Sequence, residues 1–318
     1  MDSLIYSLNA TMPVFLIMVV GWVLKQIGIL TDGFVASADK FNFKVTLPLM
    51  LFTDLALTDI REMFDGRYAL FCAAVTTVMF FGTWIGAKLF IKDKSITGAF
   101  VQVCYRSSVA ILGIAFITNI YGDPGMAPIL IIGCVPLFNI YAVLVLTFEA
   151  PEGGERVPLG EHIKRSLINI AKNPIIISIV LGVIAAAIGL KLPHIIEKTM
   201  TDIGSLASPL TLIAIGAGFE GARAIKKIKP TLIASAVKLV VIPAVFLAAS
   251  VKFGWRNQEL VALIIMLGSP ATPSCYIMAK NMNNDHVLTS SVIVTTTLLS
   301  SVTLTFWLFI CKYMGYIS

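Results

Sequence analysis

Charge is scarce in this chain. Asp, Glu, Lys and Arg make up 13% of its 318 residues, against roughly 25% in an ordinary soluble domain. With a mean hydropathy of +0.89 and no polar stretch long enough to fold alone, a separate soluble domain is excluded. Cysteine is sparse too. Cys72, Cys104, Cys134, Cys275 and Cys311 fall in or at the ends of apolar runs with no C-x-x-C spacing, which excludes a disulfide framework and a thiolate metal site. Three histidines, all in expected loops, form no ligand cluster, so no metal and no cofactor are expected. The N-terminus lacks a basic n-region and an A-x-A site, so its first apolar run reads as a retained span and not a signal peptide. The net charge of +6 is scattered through short loops. That is the positive-inside pattern of a membrane protein, and no nucleic acid is expected as a partner.

What is present is apolar runs of about 20 residues, each able to cross a hydrocarbon core about 30 Å thick. The fold class is therefore all-α, a polytopic membrane protein embedded in the lipid bilayer. Ten spans are expected, near 11–30, 41–58, 67–91, 96–120, 126–148, 169–190, 200–220, 229–251, 259–282 and 286–314. Residues 149–168, polar and rich in Gly and Pro, read as a cytoplasmic linker between a first half at 1–148 and a second at 169–318. Lys and Arg gather roughly two to one on one side of this drawing. It places both termini outside a cytoplasmic (inner) membrane.

The two halves repeat. Pro13, Gly21, Gly28, Pro48 and Leu49 find Pro174, Gly182, Gly189, Pro209 and Leu210 at one shared offset of 161 residues. An odd number of spans per copy forces the second copy into the membrane upside down, the architecture of secondary transporters.

The ninth span carries Ser269-Pro-Ala-Thr-Pro-Ser274 directly after an apolar run. Each proline lacks an N–H and clashes with the carbonyl four residues earlier, so Pro270 and Pro273 free the carbonyls of Met266 and Ser269. Lipid cannot satisfy those groups, so they must face protein or a watery cavity. Ser269, Thr272 and Ser274 flank a helix expected to break and line a substrate path. In the fourth span the polar residues are Gln102, Tyr105, Arg106, Ser107 and Ser108, with Gly113 as the weak point. An arginine at that depth either faces a cavity, where its fork can hold a carboxylate, or snorkels to the interface. Lys238 either pairs with a loop carboxylate or belongs to the transport path. Asp54 reads as a solvated residue near the outer end of the second span, where a carboxylate can also carry a proton or bind Na⁺. Asn139 is a further polar candidate.

Across nearly its whole length the chain resembles the auxin efflux carrier family, through "MPVFLIMVVGWVLKQIGIL", "FNFKVTLPLMLF", "ILGIAFITNIYG", "NPIIISIVLGVI" and "SPATPSCYIMAKNMNNDHVLTS" in family order. That family includes bacterial carriers of small carboxylates and the plant PIN-FORMED proteins. The resemblance implies two inverted five-span repeats whose fourth and ninth helices break and cross at mid-membrane, with organic anions bound beside the crossing. It departs where family members commonly have Asn and this chain has Ser108 and Ser274, where the fourth-span proline is Ala115, and where the plant serine after "PLL" is Leu51. These changes point away from auxin itself.

The reading is a secondary transporter of small organic anions working by alternating access, and not an enzyme. A coupling ion, H⁺ or Na⁺, and a homodimer stay open. The alternatives are a Na⁺-coupled symporter of the bile-acid type and a membrane receptor or scaffold built on a transporter fold.

Overall fold

The computed structural model describes residues 2–57, 65–109, 116–118, 120–122, 125–150 and 159–317. Every regular element among them is helical. In the first half these are α1 (Asp2–Gln26), α2 (Asp32–Phe41), α3 (Leu47–Ala56), α4 (Gly66–Phe90), α5 (Thr97–Tyr105) and α6 (Ala127–Phe148). In the second half they are α7 (Leu159–Ala171), α8 (Pro174–Ile188), α9 (His194–Ser205), α10 (Ala207–Ala217), α11 (Gly221–Lys226), α12 (Ile228–Ala236), α13 (Ile242–Lys252), α14 (Asn257–Gly268), α15 (Ser274–Asn281) and α16 (His286–Tyr313). One π turn, Asn42–Thr46, joins α2 to α3, and another, Val237–Val241, joins α12 to α13.

Among the described residues, five helical stretches are long and apolar enough to cross a membrane: 66–90, 127–148, 194–217, 228–252 and 286–313. Thr11–Gln26, Pro174–Ile188 and Asn257–Gly268 are apolar but shorter. Local chemistry sets several boundaries. Asp65 caps α4 by accepting from the Arg67 and Tyr68 amides, and Asn173 caps α8 ahead of Pro174 at its first position, where a missing N–H costs nothing. Gly189, at φ 65°, ends α8 in the left-handed region that glycine enters without strain.

Two helix pairs pack most closely, and small residues allow it. On α1, Gly21 lies against the Ile213 backbone of α10, and Gly216 of α10 lies against the Met18 carbonyl. On α8, a Cβ at Gly182 would sit 3.2 Å from the Phe52 carbonyl oxygen of α3. Gly21 and Gly182, like Phe52 and Ile213, are 161 residues apart, so α1 on α10 and α8 on α3 make the same contact twice. A methyl at Gly216 would drive into backbone, which cannot yield as a side chain tip can. Gly216→Ala is therefore expected to lower stability by about 1–3 kcal/mol, the usual range for overpacking, in denaturation of the detergent-solubilised protein. Gly82→Ala, with open space around it, serves as the neutral control.

Large apolar side chains on α4 and α8 (Leu70, Phe90, Val180, Ile188) are exposed on the rim. The centre belongs to α5 and α14. From Leu260 to Gly268 every residue is buried, as is every residue of α5. A helix apolar on all sides belongs inside a larger bundle, and these two are the ones that stop short.

Candidate functional site

Helix α5 ends at Tyr105, and Arg106 is already extended at φ −78°, ψ 137°. The interruption thus begins seven residues before Gly113, which lies outside the described residues. On the other half, α14 ends at Gly268, and α15 restarts at Ser274 after the extended run from Ser269. The two interruptions meet. The Ser108 amide donates to the Pro270 carbonyl at 3.0 Å. The Met266 carbonyl, deprived of its helical partner by Pro270, accepts from Ser107 Oγ. The Ala271 amide donates to Thr296 Oγ1 at 3.2 Å. Backbone groups that lipid could not satisfy are thus answered within the protein.

Arg106 does not snorkel. It is 3% exposed, and its Nη2 donates to Asn139 Oδ1 and to Ser274 Oγ, each at 2.9 Å. Its Nη1 lies 2.9 Å from Met278 Sδ, and its Nε has no partner among the described residues. Of the two readings of Lys238, a loop carboxylate partner is not found among the described residues. The lysine is fully buried in the π turn of residues 237–241, and its Nζ donates to Ser107 Oγ. Ion pairs form elsewhere, as between Lys88 and Glu149 or Lys280 and Asp39. Among the described residues, none reaches Arg106 or Lys238.

Beside the crossing lies a cavity of about 60 Å³, the share of liquid volume that about two waters occupy. Arg106, Ser107, Ser108, Asn139, Thr272 and Ser274 line it. Asp54 lines it as well, half-buried and not the solvated residue its position suggested. The first turn of α15 starts at Ser274, so its positive end is presented to the cavity. The other sequence candidates are placed differently. Pro270 contributes its carbonyl to the crossing, and Ser269 is buried with its Oγ unpartnered among the described residues. Lys238 stands behind Ser107 and off the lining.

Three residues escaped the sequence reading. Met278 faces Arg106 one turn beyond Ser274, Thr211 lines the cavity, and Thr296 caps the break. The serines and threonines of α16 looked like packing residues, and only the proline spacing opposite could have singled one out. Asp39 of α2, 2% exposed, pairs with Lys280 of α15 at 2.6 Å, and Lys280 also donates to Tyr276 Oη at 3.0 Å.

Chemically the arrangement is a hydroxyl-lined pocket that carries both the buried Arg106 guanidinium and the Asp54 carboxylate, and with no ion pair to Arg106 among the described residues its guanidinium can receive an anion. The chain is 22% identical over 290 residues to "Uncharacterized transporter YfdV" of Escherichia coli (strain K12), covering 88% of this chain and 90% of that one. It is 22% identical over 309 residues to "Uncharacterized transporter MJ1031" of Methanocaldococcus jannaschii, covering 94% and 97%. A protein of Rhizobium meliloti (strain 1021) described as "Putative malonate transporter" is 23% identical over 281 residues, covering 86% of each. The family model described as membrane transport protein matches residues 6–308, and with that match over nearly its full length the chain belongs to this family, that of the auxin efflux carriers.

Proposed function

We propose that this membrane transporter carries small organic anions, carboxylates first among them, by alternating access across the cytoplasmic membrane. The observation that carries the reading is Arg106. It is buried, held by Asn139 and Ser274, reached by no ion pair among the described residues, and lines the cavity. A buried charge is costly, the described partners of this one (Asn139, Ser274 and Met278) are uncharged, and a substrate carboxylate would pair with it. The malonate named for one relative is an anion of this kind.

The architecture that fits is ten spans in two inverted five-span repeats, 1–148 and 169–318, with both termini outside. The matched contacts Gly21 with Ile213 and Gly182 with Phe52 support it, since two copies related by a two-fold axis meet each other through the same contact in both directions. Ser107, Ser108, Gly113, Thr272 and Ser274 are assigned to the binding site, with Ser269 and Pro270 shaping the break.

The test is uptake of labelled malonate, malate, pyruvate and indole-acetate into liposomes holding the purified protein. At least one carboxylate should accumulate above empty liposomes, and Ser274→Ala should slow it about ten-fold or more, the range for a lost hydrogen bond to a charged group. Absence of carboxylate movement under every ionic gradient sinks the proposal.

A further inference from the structure

A second concavity lies on the outside of the bundle, between α4 and the α12–α13 stretch. It measures about 960 Å³, within the upper range of small-molecule sites. Its walls are apolar: Val78 and Phe90 from α4, Ile233, Val241 and Phe246 from the facing stretch. Its floor is Gly82 and Gly86, one turn apart on α4, with no atom within 4 Å of where their Cβ atoms would stand. A Gly-x-x-x-Gly face ordinarily receives a close neighbour in a membrane protein. Here it receives none among the described residues.

One end of this groove is basic. Lys92, Lys226, Lys227 and Lys229 line it together with Asp93. Lys227 is engaged, 3.6 Å from Asp93 and 3.0 Å from Asp285. Lys92, Lys226 and Lys229 are exposed and form no ion pair among the described residues. An apolar trough with three spare ammonium groups at one mouth matches a molecule with acyl chains and an anionic head. Basic pockets between spanning helices hold such headgroups.

We infer that this groove binds an anionic phospholipid, with its acyl chains over Gly82 and Gly86 and its phosphate among Lys92, Lys226 and Lys229. A second copy of the chain is the rival occupant, and electrostatics disfavours it. A two-fold axis along the membrane normal would place the two lysine clusters at the same depth, facing one another. Like charges so arranged repel, whereas a phosphate neutralises them.

The probes are dioleoyl phosphatidylglycerol and dioleoyl phosphatidylcholine, added to the detergent-solubilised full chain and read by native mass spectrometry and thermal midpoint. Phosphatidylglycerol should be retained about ten- to a hundred-fold more strongly, as expected for three lysines near a phosphate, and should raise the midpoint. Combining Lys92→Gln, Lys226→Gln and Lys229→Gln should erase the preference while leaving the lipid-free midpoint unchanged. Gly82→Leu with Gly86→Leu should fill the floor and reduce retention of both lipids with the lysines intact. Three outcomes overturn the inference: equal retention of the two lipids by the unmodified chain, an undiminished preference in the lysine variant, or an equal effect from glycerol phosphate without acyl chains. A disulfide between copies carrying Gly82→Cys, formed in full in phosphatidylglycerol bilayers, assigns the face to a second copy and also overturns it. None of these readouts depends on transport.

Discussion

Arg106→Gln is expected to reduce carboxylate uptake at least about a hundred-fold while the protein still purifies as a folded species. Arg106 sits where α5 ends, and its Nη2 engages Asn139 and Ser274. Hydrogen bonds to a charged group contribute about 1.5–3 kcal/mol each, and a substrate carboxylate held by a guanidinium gains its net charge attraction besides. Glutamine keeps a polar tip and much of the length but loses the charge and the fork. Arg106→Lys should recover little, because one ammonium cannot span Asn139, Ser274 and Met278 and still present a donor to the cavity. The measurement is initial uptake rate against substrate concentration in liposomes. An unchanged concentration dependence in Arg106→Gln would remove the arginine from the site.

Lys238→Met should move stability and function in opposite directions. The native ammonium is fully buried, meets Ser107 Oγ and has no ion pair among the described residues. Withdrawing such a charge from water costs several kcal/mol. The π turn that carries it packs against α5 and α14, whose C-terminal ends bring partial negative charge, and this offsets part of that cost. Methionine is of similar length, unbranched and apolar, so it can fill the space with little repacking. The thermal midpoint should hold or rise by a few degrees, while uptake falls about ten-fold or more because Ser107 loses the cation that orients it at the crossing. Stability retained at an active site's expense is a familiar trade. Uptake at the native rate in a folded Lys238→Met protein would make the lysine a packing residue only.

The interrupted ninth segment was readable from sequence because proline acts locally: Pro270 removes one amide, and Met266 loses its partner wherever the rest of the chain lies. The 161-residue offset was readable for a related reason, since Gly21 and Gly182 keep it without reference to their neighbours. What those glycines touch was not readable. Gly21 meets Ile213 and Gly182 meets Phe52, contacts that exist only once four helices are assembled.

Arg106 shows the limit most clearly. Its depth in the membrane depends on where α5 stops, and α5 stops at Tyr105 without a proline and with Gly113 still eight residues away. The stop is set by tertiary partners, Pro270 for the Ser108 amide and Met266 for the Ser107 hydroxyl. Lys238 left two readings open for the same reason. A loop carboxylate is the ordinary companion of a lysine, and a serine 131 positions earlier is invisible to any local pattern.

The bond from Ser108 to Pro270 ties the two unwound strands to each other and to neither flank. A sugar-tongs motion that pulled them apart would strand two polar groups in a dry interior. Any rearrangement that keeps this bond carries residues 108 and 270 along together.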